Sequence, residues 1–228
     1  MHIDVGFESV EKILHIADVH IRNYKRHKEY RQVFRKLYKE AKLLPKNSLI
    51  YVAGDIVHTK TDISPELVQI VSEFLNKLAN IRPTVVIAGN HDANLNNKSR
   101  LDSLTPIIEN LSNENLHYLR NSGIYSIADV DFIVYSVLDD SESWPNAKDS
   151  KSKNRIGVFH GAVNNSKTDA GYTVRDENLP LKPFDGCHMV MLGDIHKQQF
   201  LNEDKTIAYC GSTIQQNYGE DPGKGFLF

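Results

Sequence analysis

The sequence predicts an α/β sandwich, because short buried strands alternate with amphipathic helices in the first half of its 228 residues. Six apolar runs, most of them rich in β-branched residues, have the length expected of strands that are buried on both faces. They cover residues 13–17, 49–53, 84–88, 132–137, 156–159 and 189–192. Helical patterns separate the first three runs, and a strand–helix–strand order is typical of a largely parallel sheet.

Both predicted helices carry apolar residues at spacings of three and four, which places these side chains on one helix face. In the first helix they are Tyr30, Val33, Phe34, Leu37, Ala41 and Leu44. The second helix begins after Ser64-Pro65, a start signal with proline in the first turn. Its apolar face consists of Leu67, Ile70, Val71, Phe74, Leu75 and Leu78. Residues 139–154 and 161–186 are predicted to be surface loops.

The composition indicates a soluble globular protein, with 40% hydrophobic and 25% charged residues. Its length suits one domain, and its net charge of −2 means that any nucleic-acid surface would be a local patch. Cys187 and Cys210 are too few for a disulfide framework, and we expect both to be reduced and buried. Neither a membrane span nor a secretory signal is predicted, so we expect a cytoplasmic protein, with a nuclear or virus–host setting left open.

Polar residues that can bind metal ions follow five of the predicted strands. They are Asp18 and His20, Asp55 and His58, Asn90 with His91 and Asp92, His160, and Asp194 with His196. Singly, each of these motifs is more typical of a turn or a surface loop than of a metal site. Because binding sites form beyond the carboxyl ends of strands in open α/β sheets, we expect all five clusters to meet in one crevice.

The residue types in these clusters favour a centre for two divalent cations. Carboxylates together with neutral imidazoles suit Mn²⁺, Fe²⁺ or Zn²⁺, and one carboxylate can bridge two ions. Two such ions can orient a hydroxide and stabilise the attacking and leaving oxygens at phosphorus. Gly54, Gly89 and Gly193 are expected to allow tight turns that direct the next side chain into the site.

The order of these motifs resembles that of the calcineurin-like metallophosphoesterases, whose signature is D-x-H, G-D, G-N-H-[DE], H and G-H-x-H. The resemblance implies a four-layered α/β/β/α sandwich with two divalent ions, for which we expect Mn²⁺, with Mg²⁺, Fe²⁺ and Zn²⁺ as alternatives. It assigns one ion to Asp18, His20, Asp55 and His196. It assigns the second ion to Asp55 as the bridge, with Asn90, His160 and the residue at position 194.

Position 194 departs from the family pattern, because this sequence has Asp194 where the family usually has histidine. We expect Asp194 to coordinate the second ion and to give that site a preference for Mn²⁺ or Mg²⁺. The resemblance implies that His91 is the catalytic residue that contacts the scissile phosphate and protonates the leaving oxygen. Asp92 is predicted either to orient His91 or to cap a helix.

Further motifs are similar to the Mre-eleven/SbcD-type DNA-repair nucleases in particular. His58 lies three residues after Asp55, a spacing at which that branch has a histidine for substrate placement; a turn residue is the alternative. Residues 63–66, 209–215 and 223–226 resemble further segments of the branch, with Cys210 in place of a proline. We therefore expect residues 1–228 to form the nuclease domain, without the capping domain and ATPase-binding helices. The strand-like residues 225–228 indicate a longer chain.

This branch acts on DNA, and the segment of residues 22–42 could steer phosphates because it holds nine lysines and arginines. A solvated helix face explains the same charges. Arg22 and Asn23 are the expected substrate contacts. The resemblance also implies an SbcC/Rad-fifty-type ATPase partner and a homodimer formed by residues 65–80 and 99–110. Monomer core packing explains the apolar residues of both segments equally well.

Two other functions remain open at this point. The first is a phosphoesterase of the same fold that acts on cyclic nucleotides, phosphoproteins or nucleotide sugars. The second is a DNA- or partner-binding scaffold whose catalytic site lapsed when Asp194 replaced histidine. We prefer a metal-dependent DNA phosphodiesterase because His58 and residues 211–215 match the nuclease branch, and every other expected ligand is present.

Overall fold

The computed structural model describes residues 1–97, 99–175 and 181–228. Its strands are β1 (His2–Ile3), β2 (Lys12–Ile16), β3 (Ser48–Ala53), β4 (Thr84–Ile87), β5 (Leu116–Tyr118), β6 (Gly123–Ile127), β7 (Val130–Tyr135), β8 (Asn154–His160), β9 (Met189–Gly193), β10 (Gln199–Phe200) and β11 (Ile207–Tyr209). Its α-helices are α1 (His27–Lys42), α2 (Pro65–Ala79) and α3 (Leu104–Leu111). Part of the predicted loop at 161–186 lies outside the described residues.

The strands form two sheets. The smaller sheet has the order β2-β3-β4-β5 and is parallel throughout. The larger sheet has the order β1-β6-β7-β8-β9-β11-β10, with antiparallel pairs at β6–β7 and β10–β11. All six apolar runs are strands, as predicted, and every residue of β3, β4 and β7 is buried.

Three apolar clusters separate the layers of the molecule. Helices α1, α2 and α3 pack on the outer face of the small sheet through residues such as Phe34 and Phe74. The cluster between the two sheets includes Leu49, Phe132 and Val158. Because each sheet buries both faces, its strands are continuous apolar runs rather than alternating ones.

The family resemblance implies a layer of α-helices on the outer face of the large sheet. Among the described residues, short 3₁₀ helices and loops cover that face instead. Tyr135 and Phe159 pack there against Phe184 and Trp144, which lie in or beside short 3₁₀ helices. These helices span Ser141–Ser143, Ala147–Asp149 and Lys182–Phe184. The α/β sandwich is confirmed, and among the described residues its fourth layer consists of 3₁₀ turns and loops.

Local sequence accounts for the start of α2. The Ser64 hydroxyl accepts a hydrogen bond from the Leu67 amide, and Pro65 occupies the first turn, where its missing N–H costs no hydrogen bond. The predicted apolar face of α2 is entirely buried. Helix α1 begins at His27 and likewise turns Tyr30, Phe34 and Leu37 inward.

Core packing uses most of the side chains that were considered for a homodimer. Leu67, Ile70, Phe74, Leu104, Ile107 and Ile108 all belong to the cluster beneath the helices. Leu101, by contrast, is 69% exposed. A homodimer therefore remains a prediction, and six of the seven apolar residues proposed for it are occupied within the monomer. None of the helices among the described residues is long and apolar enough to span a bilayer.

Candidate metal centre

The candidate centre lies where the loops after β2, β3, β4, β8 and β9 meet. The loop after β2 is hydrogen-bonded to the loop after β3, since the Asp18 amide donates to Gly54 O (3.2 Å) and the His20 amide donates to Asp55 O (2.8 Å). On the other side, the Asp194 amide donates to both Asp18 carboxylate oxygens, at 3.1 and 3.2 Å. The clusters that the sequence predicted to converge thus share one crevice between the two sheets.

Four predicted ligands have left-handed backbone conformations, which non-glycine residues rarely adopt. Their φ angles are 52° at Asp18, 49° at His20, 52° at Asp55 and 95° at Asp194. Such conformations each cost of order 1–3 kcal/mol and persist only where the surrounding structure holds them, typically at functional sites. Here they turn each side chain toward the crevice immediately after a strand ends.

The first group of converging ligand atoms comprises Asp18, His20, Asp55 and His196. His20 Nε2 lies 3.1 Å from His196 Nε2, 3.4 Å from Asp55 Oδ2 and 4.0 Å from Asp18 Oδ1. One ligand atom each from Asp18, His20 and His196 lie within 4.8 Å of one another. His196 Nδ1 faces the carboxylate of Glu220 and therefore carries a proton, which leaves a lone pair on Nε2. Carboxylate oxygens and imidazole lone pairs are a suitable donor set for a divalent cation.

The second group is built around His160. Its Nδ1 donates to Ala53 O (2.6 Å), so the neutral ring has a lone pair on Nε2. That Nε2 lies 3.3 Å from Asp55 Oδ1, 3.1 Å from Asn90 Oδ1 and 3.8 Å from Asp194 Oδ1. The amide of Asn90 can face this cluster with either end, its nitrogen as a donor or its oxygen as a ligand. A cation among these atoms would satisfy all the acceptors at once.

Asp55 joins the two groups. Its Oδ2 faces His20 and its Oδ1 faces His160, and the side chain is 2% exposed. This is the arrangement required of a carboxylate that bridges two cations. The His91 amide donates to Asp55 Oδ1 at 2.8 Å, which fixes the carboxylate plane.

The electrostatics of the crevice favour positive charge. Burial raises the pKa of Asp18 to about 7 and raises the pKa of Asp194, so these carboxylates are short of compensating charge. Burial lowers the pKa of His20 to about 2, although Asp55 acts in the opposite direction, so His20 is neutral and able to coordinate. Burial would lower the pKa of His160, but Asp55 raises it well above its usual value. The same negative charge would attract a divalent cation, whose binding displaces such a proton.

His91 and His58 lie beside the first group of ligands. The His91 ring is 4.8 Å from the His20 ring, and it stacks with His58 at 5.5 Å. His91 Nδ1 donates to His58 O (2.7 Å), so Nε2 is the atom that can exchange a proton with substrate. The pKa of His58 is lowered mainly by burial and, to a smaller extent, by the nearby Arg22 and His91, which keeps its ring neutral.

The side chain of Asp92 makes contacts that fit neither of its two predicted roles. Its Oδ1 accepts hydrogen bonds from the Ile56 and Val57 amides (3.0 Å each), and its Oδ2 accepts one from the Gly89 amide (2.9 Å). Both predictions for Asp92, orienting His91 and capping a helix, are therefore wrong. Asp92 instead ties the loop that carries His91 to the loop that carries Asp55.

All three predicted glycines lie where a side chain has no space, and Gly54 also needs the conformational freedom of glycine. Gly54 has a φ of +80°, as a tight turn predicts. At Gly89 a Cβ would overlap Asp55, and at Gly193 it would overlap the Ala53 carbonyl oxygen. Close approach of the loops after β3 and β4 thus excludes a side chain at Gly89, and close approach of the two sheets excludes one at Gly193.

Arg22 and Asn23, the predicted substrate contacts, lie at the edge of the centre. Arg22 is close enough to His58 to lower its pKa. Asn23 donates to Asp62 O (2.6 Å) and accepts from the Ser64 amide (3.2 Å), so its amide braces the start of α2. Their contact with substrate remains a prediction. Sequence reasoning missed Glu220, whose Oε1 lies 2.7 Å from His196 Nδ1, because no motif links residues 24 positions apart.

Comparison with known proteins gives a consistent result. Residues 11–198 match the family model described as calcineurin-like phosphoesterase. The chain is 46% identical over 231 aligned positions to an uncharacterized protein of Acanthamoeba polyphaga mimivirus, covering 96% of this chain and 17% of that protein. It is 25% identical over 187 positions to an Invertebrate iridescent virus 6 protein that is provisionally named a phosphoesterase, covering 77% of this chain and 61% of that protein.

Among solved structures, the crystal structure of a phosphopantetheinyl hydrolase from Mycobacterium tuberculosis has a similar fold. Its TM-score is 0.53 at 11% sequence identity, over 92% of this chain and 94% of that one. At this identity the similarity concerns the fold alone. Of the two viral relatives, the chain covers about a sixth of the length of the mimivirus protein and about three fifths of the length of the iridescent virus protein.

Proposed function

The chain belongs to the calcineurin-like phosphoesterases, and we propose that it hydrolyses DNA phosphodiester bonds with two divalent cations. The observation that carries the two-cation centre is Asp55, which presents one oxygen to the His20 group and the other to the His160 group. Two ions held by these residues would supply the Lewis acidity that activates water and would stabilise negative charge at phosphorus.

We assign the first ion to Asp18, His20, Asp55 and His196, and the second to Asp55, Asn90, His160 and Asp194. The position of the Asp194 carboxylate, 3.8 Å from His160 Nε2, supports its assignment to the second ion. An oxygen ligand in place of imidazole makes that site harder, which favours Mn²⁺ or Mg²⁺.

His91 is proposed as the general acid. With Nδ1 bound to His58 O, its Nε2 is free to hold a proton and to transfer it to the leaving oxygen. His58 flanks it from the side of Arg22, which places a neutral ring and a cation where the substrate backbone would enter.

The distribution of charge supports a polyanionic substrate rather than a small phosphoester. The segment of residues 22–42 has nine basic and two acidic residues, whereas the remaining chain has 18 basic and 27 acidic ones. The segment leads directly from the metal loop, since Tyr30 in the first turn of α1 donates its hydroxyl proton to His20 O (2.5 Å). Exposed cations extend along α1 from Lys28 to Lys42. A nucleic-acid backbone that leaves the centre along α1 would meet these charges.

A substrate comparison tests this proposal. End-labelled single- and double-stranded DNA, cyclic nucleotide and p-nitrophenyl phosphate are incubated with Mn²⁺, Mg²⁺ or chelator. We expect Mn²⁺-dependent DNA cleavage that Asp55→Ala abolishes and His91→Ala greatly slows, while His2→Ala, at an exposed position of the edge strand β1, leaves it unchanged. Faster hydrolysis of the small phosphoesters would contradict the DNA assignment, and no turnover on any substrate would favour a binding scaffold.

Charge reversal tests the basic segment separately. The double variant Arg35→Glu/Lys39→Glu on α1 is compared with Lys151→Glu/Lys153→Glu, an equal change in an exposed loop. The slope of log affinity against log salt becomes shallower by about 0.9 for each phosphate that the protein no longer neutralises. We expect this change for the α1 variant only; equal slopes in both variants would show that α1 is a solvated face.

A further inference from the structure

Glu220 contacts the ring nitrogen of His196 that points away from the candidate centre. The carboxylate Oε1 is 2.7 Å from His196 Nδ1, and the Glu220 side chain is 4% exposed although His196 is 25% exposed. A carboxylate can only accept, so this contact keeps the proton on Nδ1 and the lone pair on Nε2. That Nε2 faces His20 Nε2 at 3.1 Å, inside the candidate centre.

Glu220 is itself fixed by several donors. Its Oε2 accepts from the Gln216 amide (2.9 Å), and its Oε1 accepts from Asn217 Nδ2 (2.9 Å). Lys224 Nζ lies 3.2 Å from Oε2. The Gln215 side chain donates to the Glu220 carbonyl (2.8 Å), so the backbone at this position is also held. A carboxylate with this many donors has a single orientation, and that orientation is directed at His196.

Lys224 connects Glu220 to two other segments of the site, the loop after β8 and the segment after β9. Its ammonium donates to His196 O (2.9 Å) and to Asp169 Oδ2 (2.8 Å), in addition to its contact with Glu220. An ammonium has three protons, and these three contacts use them all. The Lys224 side chain is 6% exposed and the Asp169 side chain 8%. The loop after β8, the segment after β9 and residues 216–224 therefore meet at one buried cation.

Stability alone is a weak explanation for this cluster. Burying a Glu–Lys pair costs desolvation energy that often equals the attraction between the charges. Behind a metal-ligating histidine, by contrast, a carboxylate fixes the ring orientation and tautomer, and removing it typically weakens metal binding 10- to 100-fold. The short contact to His196 Nδ1 is the feature that a purely structural pair would not need.

We propose that Glu220, anchored by Lys224, is a positioning residue that orients His196 and fixes its tautomer for the first metal ion. The proposal rests on the proposed metal centre but not on DNA as the substrate. It therefore applies equally if the centre acts on another phosphoester.

The test compares Glu220→Gln with Glu203→Gln, the same change at an exposed turn residue. Calorimetric titration of the metal-free full chain with Mn²⁺ is expected to show 10- to 100-fold weaker binding for Glu220→Gln, and no change for Glu203→Gln. Nitrogen-15 NMR of the histidine rings, recorded without metal, is expected to show His196 protonated at Nδ1 in the parent chain. In Glu220→Gln we expect a mixture of tautomers.

Mn²⁺ affinity within threefold of the parent chain in a folded Glu220→Gln variant would overturn the proposal, and so would an unchanged His196 tautomer. If Glu220→Gln does not fold, Glu220→Asp replaces it, because aspartate keeps the charge beside Lys224 while withdrawing the carboxylate from His196. Weaker Mn²⁺ binding by Glu220→Asp supports the proposal, and parental affinity overturns it. Loss of DNA as the substrate would leave these binding results unaffected, so the two proposals fail separately.

Discussion

Replacing Asp92 by alanine should both destabilise the protein and loosen the candidate centre. The carboxylate accepts three hydrogen bonds from the buried amides of Ile56, Val57 and Gly89, at 2.9 to 3.0 Å. Alanine would leave three N–H groups without an acceptor, and each such loss costs about 1–3 kcal/mol. The gross cost is therefore roughly 3–9 kcal/mol.

The lower end of that range is the better expectation. Burial raises the pKa of Asp92 to about 7, which means that desolvation already offsets part of the hydrogen-bond energy. Alanine also removes that desolvation cost. We therefore expect a loss of about 3 kcal/mol, equivalent to a fall in melting temperature of roughly 6–12 °C for a chain of this size.

Asparagine at position 92 should have a smaller effect. Its oxygen can still accept from the Ile56 and Val57 amides, but its NH₂ group would face the Gly89 N–H as a second donor. One unsatisfied contact of this kind costs about 1–3 kcal/mol. The expected order of stability is thus parent, Asp92→Asn, Asp92→Ala.

Urea denaturation in the presence of chelator measures these changes without a contribution from bound metal. Asp204→Ala, at an exposed turn, is the matched control and should lie within about 0.5 kcal/mol of the parent chain. An Asp92→Ala variant as stable as that control would refute the reasoning, because three buried amides would then be without an acceptor at no cost.

Three further predictions concern the metal centre. Mn²⁺ at about 100 times its Kd should stabilise the chain by roughly 2.7 kcal/mol per site, so two sites raise the melting temperature by roughly 10–20 °C. Asp55→Asn should retain less than half of that shift in a thermal melt, and a full shift would exclude the bridge. His91→Ala should lower kcat on DNA about 10²- to 10⁴-fold. It should lower kcat on p-nitrophenyl phosphate far less, since that leaving group needs no proton. Equal decreases in kcat on the two substrates would contradict general acid catalysis. Because the pKa of His160 is raised well above its usual value, Mn²⁺ must displace its proton, so affinity should increase as the pH rises. Calorimetry in two buffers should detect the released proton, and pH-independent binding would contradict this assignment.

The sequence predicted the elements that position the site because their signals are local. The apolar runs that became β2, β3, β4, β7, β8 and β9 are buried on both faces, so their composition alone marks them as strands. Each ligand cluster follows such a run by one or two residues. Within each sheet, topology then brings the clusters together, because parallel strands end at the same edge of a sheet. The packing of the small sheet on the large sheet brings the clusters after β2, β3 and β4 next to those after β8 and β9.

The features that sequence reasoning missed depend on contacts between distant residues. Asp92 carries the family motif but binds amides about 35 positions away, and sequence proximity to His91 suggested the wrong partner. Glu220 supports His196 from a loop with no regular hydrophobic period. The 3₁₀ layer over the large sheet likewise comes from polar, Pro-containing loops whose few apolar residues, such as Trp144 and Phe184, show no helical spacing.

Asp194 shows how local signals and site geometry combine. Its sequence position identifies it as a substitution for histidine, but only the fold places its carboxylate beside His160. Its amide also donates to the Asp18 carboxylate, a role that belongs to the backbone and that any residue with a backbone N–H could perform at position 194. The metal preference that we propose for the second site rests on the side chain alone.

Electron paramagnetic resonance of the chain titrated with Mn²⁺ tests the bridging carboxylate most directly. If Asp55 bridges two ions roughly 3.5–4 Å apart, saturation requires two Mn²⁺ per chain and the spectrum shows two exchange-coupled ions. Saturation at one Mn²⁺ per chain, or two ions with the spectrum of isolated Mn²⁺, would contradict a bridged centre at Asp55.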